Sequence, residues 1–326
     1  MKIAMTGATG FVGRALLEKL SKFSLLIIGR TNPISSISYD FHHSTIDSNS
    51  SYDNALNGID VVIHCAARAH IMHDESDNPL KEYREVNTLG TLNLAKQAAE
   101  AGVKRFIFVS SIKVNGESTS NSGPFKSDDK KNPQDDYGKS KAEAEDLLLE
   151  LALKTGMEVV IIRPTLVYGP GVKANFASLM NLVSKGLPLP FGRITNNRRS
   201  LVSVRNLVDL IITCIDHPKA ANQVFLVSDD NDVSTASMVK AMSTALGQPN
   251  RMLPVPLWCF NLIGKVFSKQ DKVDRLLGSL QVDITDTKER LGWTPPQTLE
   301  EGFKETAEAF VLSKKLNKEL NKEKTK

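Results

Sequence analysis

The opening stretch Ile3-Ala4-Met5-Thr6-Gly7-Ala8-Thr9-Gly10-Phe11-Val12-Gly13 constrains this chain more than any other. It reads as a buried strand, a glycine turn and a helix, in that order. Gly7 permits the tight turn, and Gly10, followed by Phe11 and Val12, lets a phosphate reach the backbone N–H groups of the helix N-terminus. Gly13 lets that helix pack close to the strand. A glycine triplet alone is a weak signal, and an unliganded structural turn is the competing reading. The sequence strand, turn, helix at the first residues favours a dinucleotide site.

Behind this unit, short apolar runs alternate with helical patterns, as βαβ units of a parallel sheet require. Lys2 to Met5, Leu25 to Ile28, Asp60 to His64, Arg105 to Ser110 and Glu158 to Arg163 read as buried strands. Val12 to Leu20, Leu80 to Ala101 and Tyr137 to Thr155 read as helices, and the polar stretch Ser118 to Asp136 as a loop able to order over a ligand. The predicted fold class is α/β: a doubly wound parallel sheet of the Rossmann type with a smaller, interwoven C-terminal substrate domain. Residues 1–167 form the dinucleotide-binding domain, with a return strand near 223–228. Residues 168–314, where Gly and Pro become frequent, form the second domain, and 315–326 a basic polar tail that reads as a solvated helix end.

With 326 residues, 41% apolar and 24% charged, the chain can bury a large core, and its net charge of +4 gives no reason to expect nucleic acid as a partner. Three scattered cysteines, Cys65, Cys214 and Cys259, suit thiols of a reducing compartment, so a cytoplasmic home is expected. No window approaches the roughly 18 consecutive apolar residues of a membrane span, so stable membrane insertion is not expected. Leu253 to Phe267 comes nearest and reads as a buried or lid-forming helix, membrane-surface contact being the lesser reading. His42-His43 and His70-x-x-His73 lack the cysteine or carboxylate company of a metal site, so no metal is expected.

At the end of the second strand an NAD enzyme commonly presents a carboxylate to the adenosine ribose; here Arg30 follows, suited to a 2′-phosphate, so NADP is favoured over NAD. Ala66 and Ala67 end a later strand in small residues that let backbone lie close to the cofactor. His64 before them reads as a satisfied core histidine. Tyr137 and Lys141, four apart on one helix face, pair a phenol with an ammonium that, together with the positive nicotinamide ring, favours the phenolate, so both face the cofactor and Lys141 also holds the nicotinamide ribose. Ser111 stands at the carboxyl edge of the sheet, where it can hydrogen-bond a substrate oxygen that exchanges a proton with Tyr137. Each pattern occurs by chance; together, downstream of the glycine turn, they form a strong joint signal.

With these residues, and with Glu85-Val86-Asn87-Thr88-Leu89-Gly90-Thr91, Arg163-Pro164-Thr165-Leu166-Val167-Tyr168-Gly169 and Gly292-Trp293-Thr294-Pro295, the chain resembles an extended short-chain dehydrogenase/reductase of the nucleotide-sugar epimerase/dehydratase family over nearly its whole length. The resemblance implies that Ser111, Tyr137 and Lys141 are catalytic, that Asn87 supports the active-site helix, and that Pro164 and Val167 lie beside the nicotinamide. It implies a UDP-sugar substrate, with Asn175, Arg199 and Arg275 as diphosphate partners and Phe191 as a wall for the base, and it leaves a homodimer open. Two departures stand out: Asn115 in Val114-Asn115-Gly116, where the family usually has tyrosine, and Arg30.

Within the family, Ala66 to Met72, Ser110 to Gly116 and Leu277 to Asp283 resemble a group acting in bacterial surface-polysaccharide synthesis. The expected reaction is reduction of UDP-4-keto-6-deoxy-N-acetylglucosamine to UDP-N-acetylquinovosamine, favoured by Arg30 because NADPH is the usual biosynthetic reductant. The alternative is a UDP-glucose or UDP-N-acetylglucosamine 4-epimerase. A dehydratase is disfavoured because Ile112-Lys113 occupies the place of its Asp-Glu pair. The most distant alternative is a non-catalytic NADP(H)-sensing module.

Overall fold

A computed structural model describes residues 1–52, 54–69 and 78–323. The His70-x-x-His73 pair and the Ala66 to Met72 motif beyond Ala69 lie outside the described residues, as does the end of the tail. Nine strands are described: β1 (Lys2–Thr6), β2 (Ser24–Gly29), β3 (Asp40–His43), β4 (Val61–His64), β5 (Arg105–Val109), β6 (Glu158–Pro164), β7 (Leu166–Tyr168), β8 (Leu201–Ser203) and β9 (Gln223–Val227). The helices are α1 (Phe11–Lys19), α2 (Pro79–Arg84), α3 (Thr91–Glu100), α4 (Asp136–Thr155), α5 (Ala174–Val183), α6 (Val204–Thr213), α7 (Thr235–Ala245), α8 (Leu257–Val266), α9 (Gln270–Leu277), α10 (Thr285–Leu291) and α11 (Leu299–Glu323). The last of these carries the tail as continuous helix as far as Glu323.

Seven strands make one sheet in the order β3-β2-β1-β4-β5-β6-β9, every pair parallel. Alternate residues face opposite layers. Ile3, Met5, Leu25, Ile27, Ile107 and Ile162 pack into one core, whereas Ala4, Leu26, Ile28, Phe106, Phe108 and Ile161 pack into the other. Both faces are covered, which is why these strands read as unbroken apolar runs. The strand order reverses at β1, between β2 and β4, and that reversal opens the crevice where doubly wound folds bind ligands. Strand β9 arrives from the second half of the chain and pairs with β6. A third core, including Tyr168, Phe176, Met180, Leu201, Met242 and Phe303, lies in that second half, where β7 and β8 form their own small parallel sheet.

Two expectations are corrected. The single helix expected over Leu80 to Ala101 is interrupted: a π-helical turn, Glu85–Gly90, separates α2 from α3. A side chain at Gly90 would lie 2.9 Å from the backbone of Ile46 and Asp47, so the turn sits hard against a neighbouring loop. Leu253 to Phe267 does form a helix, α8, but not a buried one: of its residues only Phe260 and Gly264 are buried.

His64 is fully buried between Thr6 and Thr91, its Nδ1 2.7 Å from Thr6 Oγ1 and its Nε2 2.9 Å from Thr91 Oγ1. Burial, reinforced by the charge of Lys141, pushes its pKa down to about 3. The unfolded chain therefore takes up a proton near its ordinary value of 6.5, and the folded one only far below it. Stability is complete above that ordinary value and falls by about 1.4 kcal/mol per pH unit between the two values. Denaturant titrations at several pH values should show this acid slope, reduced by one proton in His64→Asn. Equal slopes in the two proteins would mean that His64 is charged in the fold.

Candidate active site

The glycine cradle lies at the carboxyl end of β1, in the crevice. Gly7 has φ +75°, and a Cβ there would sit 2.6 Å from the Ala66 nitrogen, so the turn is pressed against the end of β4. A Cβ on Gly13 would lie 2.0 Å from the Gly7 carbonyl oxygen, which explains the third glycine. Gly10 caps α1 with no side chain occupying the helix end, and the first turn holds no acidic residue. Phe11 and Val12 follow, half-buried. Open N–H groups and the positive end of the helix fit a pyrophosphate. Ala66 is half-buried, Ala67 exposed, and Arg30 exposed immediately after β2. Pro164 ends β6 beside Val227, and Val167 lies on β7 beside Val202.

Helix α4 begins at Asp135, whose Oδ1 accepts the Gly138 N–H at 2.7 Å. This N-cap fixes Tyr137 in the first turn, its ring edge-on to Tyr83 at 6.2 Å. One turn on, the buried Lys141 ammonium donates to the Val109 carbonyl at 2.9 Å and lies 4.2 Å above the Phe108 ring. Val109 is two residues before Ser111, so Lys141 joins the helix to the strand end that carries the serine. Ser111 Oγ accepts the Lys113 N–H at 3.2 Å, which leaves its own proton to donate.

Burial lowers the Lys141 pKa to about 8, against the opposing influence of Cys65 and Glu145. For Tyr137, burial, then Asp135 and Tyr83, push the phenol above its ordinary value in the chain by itself. Burial first, and the neighbouring Asp135 and Tyr83 second, therefore hold Tyr137 as a proton donor at neutral pH. Phenolate character requires added positive charge at the site.

Asn87, on the π-helical turn, is wholly buried; its amide nitrogen donates to Ser140 Oγ and to the Arg68 carbonyl, both at 3.0 Å. Thr88 Oγ1 donates to the Ser140 carbonyl at 2.9 Å. Behind the site, and unforeseen in the sequence, lies a buried ion cluster. Glu145 receives Arg163 Nη2 at 2.6 Å, Arg163 Nε at 3.0 Å, Lys131 Nζ at 3.0 Å and the Ser110 hydroxyl at 2.5 Å. Arg163 Nη1 also donates to Asn115 Oδ1 at 2.9 Å, so the residue that departs from the family pattern belongs to this cluster. The available signal was spacing: Glu145 lies four residues beyond Lys141 and eight beyond Tyr137, on the same helix face.

In the second half, Arg199 and Arg275 come together: Arg199 Nη1 donates to the Arg275 carbonyl at 2.6 Å. Burial, with Arg275 beside it, lowers the Arg199 pKa. Arg275 Nη2 lies 3.6 Å from Glu117, Glu117 lies 3.0 Å from Lys113 Nζ, and Lys113 pairs with Asp135, the cap of α4. Burial works against the Asp135 carboxylate, but Lys113 and the Gly138 N–H hold it below its ordinary range. Lys113 thus links the arginine pair to the helix of Tyr137. Asn175 is exposed near the start of α5. Phe191 is 8% exposed and stacked on Phe260 at 6.3 Å, so it can offer a base little more than a ring edge.

A glycine-cradled crevice beside a serine, a tyrosine and a buried lysine defines the class of extended short-chain dehydrogenase/reductases. Within it, the chain belongs to the NAD dependent epimerase/dehydratase family, whose profile matches residues 3–228. It is 61% identical over 313 residues, 95% of each chain, to a UDP-glucose 4-epimerase of Vibrio cholerae. It is 29% identical, over 96% of each chain, to an N-acetyl-alpha-D-glucosaminyl-diphospho-ditrans,octacis-undecaprenol 4-epimerase of Escherichia coli O157:H7. Among solved structures the fold is shared with MoeE5 in complex with UDP-glucose and NAD, at TM-score 0.76 and 24% identity over 96% of this chain and 99% of that one. It is shared equally with a UDP-glucuronic acid 4-epimerase from Bacillus cereus in complex with NAD, at TM-score 0.76 and 20% identity over 96% and 99%.

Proposed function

We propose that the chain is a nicotinamide-dependent UDP-sugar 4-epimerase. The observation that carries this reading is the 61% identity, spanning 95% of both chains, with a UDP-glucose 4-epimerase. Tyr137 exchanges the proton of sugar O4, and the Ser111 hydroxyl donates a hydrogen bond to the same oxygen. Lys141 holds α4 against the end of β5, and its charge would steady the phenolate together with the added positive charge of an oxidised nicotinamide ring. A bound nicotinamide dinucleotide, cradled by Gly7, Gly10, Phe11, Val12 and Gly13 and flanked by Arg30, Ala66, Ala67, Asn87, Pro164 and Val167, supplies the hydride acceptor and donor for C4. Arg199 and Arg275, with Asn175, take the diphosphate, and Phe191 edges the base. Residues 1–167 and the return strand serve the dinucleotide, residues 168–314 mainly the sugar nucleotide, in a cytoplasmic enzyme.

A second reading, net reduction of UDP-4-keto-6-deoxy-N-acetylglucosamine with NADPH for polysaccharide synthesis, is favoured by one feature, Arg30, exposed at the end of β2. Kinship over the whole chain outweighs a single arginine, so the epimerase now ranks first. The purified protein should interconvert UDP-glucose and UDP-galactose without added cofactor. Absence of that conversion, together with NADPH oxidation on the 4-keto sugar, would reverse the order.

Lys113→Met tests the link between the arginine pair and α4. Partly exposed ion pairs are worth about 1 kcal/mol at most. The variant should therefore lose about fivefold in kcat/KM for the UDP-sugar, and an unchanged value would detach the arginine pair from the catalytic helix.

A further inference from the structure

Helix α8 is apolar on two opposite faces. Phe260 and Gly264, four residues apart, turn inward, and Gly264 packs so closely on α9 that an added Cβ would lie 2.8 Å from Val273. On the opposite face Trp258, Leu262 and Val266, again four apart, are exposed to 65%, 54% and 67%. Leu253 and Phe267, exposed to 51% and 64%, flank the helix on either side in sequence. Seven of the sixteen exposed large apolar side chains among the described residues fall within 253–267, which makes a patch rather than scatter.

The border of the patch is cationic. Over 251–273 the sequence carries four cations, Arg251, Lys265, Lys269 and Lys272, against one carboxylate, Asp271. All four cations are exposed, and among the described residues none has a carboxylate within ion-pair distance. An isologous contact between two copies of this surface would set like charges against each other at its rim. Apolar side chains headed by a tryptophan and a phenylalanine, with lysines whose stems can run up to phosphate level, match the boundary between headgroups and acyl chains. No helix of the described residues is long and apolar enough to cross a membrane, so such contact is peripheral.

We infer that the crest of α8, with Leu253 and Phe267, is a docking surface for an anionic phospholipid bilayer. The crest enters the interface and the four cations meet lipid phosphates. Its partner helix α9 carries Arg275, so lipid attachment and one of the proposed substrate arginines share one pair of packed helices. The inference stands on the surface itself and does not depend on the reaction assigned to the site.

The test is sedimentation of the full chain with vesicles of phosphatidylcholine alone or with about one third phosphatidylglycerol, at about 0.1 M salt. The bound fraction should be at least fivefold higher on the anionic vesicles, and Trp258 emission should shift to shorter wavelength. Trp258→Ser combined with Val266→Ser should lower binding about tenfold or more, and Lys265→Glu combined with Lys269→Glu similarly. Both pairs lie outside the proposed machinery, so melting temperature and turnover of soluble UDP-sugar should be unchanged. No binding to anionic vesicles, or equal binding by wild type and variants, would overturn the inference. So would light scattering that shows a lipid-free dimer dissolved by Trp258→Ser, which would assign the patch to a second copy of the chain.

Discussion

Tyr137→Phe is expected to lower turnover at sugar C4 by about 10²–10⁴-fold, the range that positioned proton transfer contributes. The substitution removes one oxygen and leaves the ring that stands edge-on to Tyr83, so the melting temperature should hold. The size of the loss follows from the surroundings. Phenylalanine leaves no titratable group in the place of the phenol, one turn before Lys141 on α4, and Ser111 keeps only a hydrogen bond to offer. Dinucleotide binding, measured by fluorescence titration, should change little, because the glycine cradle belongs to β1 and α1 rather than α4. Full activity of the variant on every 4-hydroxy and 4-keto UDP-sugar tried would remove Tyr137 from the chemistry. The non-catalytic dinucleotide sensor would then become the better account of the crevice geometry.

What could be read in advance, and what could not, follows from how each feature is written in the residues. Six strands of the large sheet were legible because strands buried on both faces leave continuous apolar runs. Strand β3, Asp-Phe-His-His, was not, because none of its residues is buried and an edge strand tolerates polar side chains, whereas β9 at the other edge buries Phe225, Leu226 and Val227. The π-helical turn at Glu85–Gly90 is a slip of hydrogen-bond register with no compositional mark, yet it is what carries Asn87 to Ser140. Leu253 to Phe267 does form a helix, but the buried alternative fails because apolarity does not imply burial: Leu257, Trp258, Leu262, Ile263 and Val266 face outward. In the site, Tyr137, Lys141 and Ser111 were legible by spacing and by their place at the strand ends. The raised phenol pKa was not: it depends on burial and on Asp135, and only coordinates supply those. Glu145 is marked in the sequence only by its spacing from Lys141 and Tyr137, a weak signal because a glutamate on a helix ordinarily faces water and its partner Arg163 sits on another element.

That buried pair carries the second large effect. Glu145 is 0% exposed and Arg163 2%, and removing one partner of such a pair strands the other charge without water; the cost is about 3–5 kcal/mol. Glu145→Ala should therefore lower the melting temperature by roughly 5 °C in a chain of this length. Arg163→Met should do much the same, since burial would raise the Glu145 carboxyl if Arg163, Lys131 and Ser110 did not hold it down. The double variant Glu145→Leu with Arg163→Met leaves neither charge uncompensated and should recover part of the loss, although Asn115, Lys131 and Ser110 lose a partner in it. Calorimetry on the two single variants and the double one separates the coupling from the individual costs. Losses that simply add would show that the two charges are solvated independently, and the cluster would then be an accident of packing. If they couple, the same cluster explains Asn115: the position that departs from the family pattern is an acceptor for Arg163, 2.9 Å away, and Asn115→Tyr should disturb the pair as well.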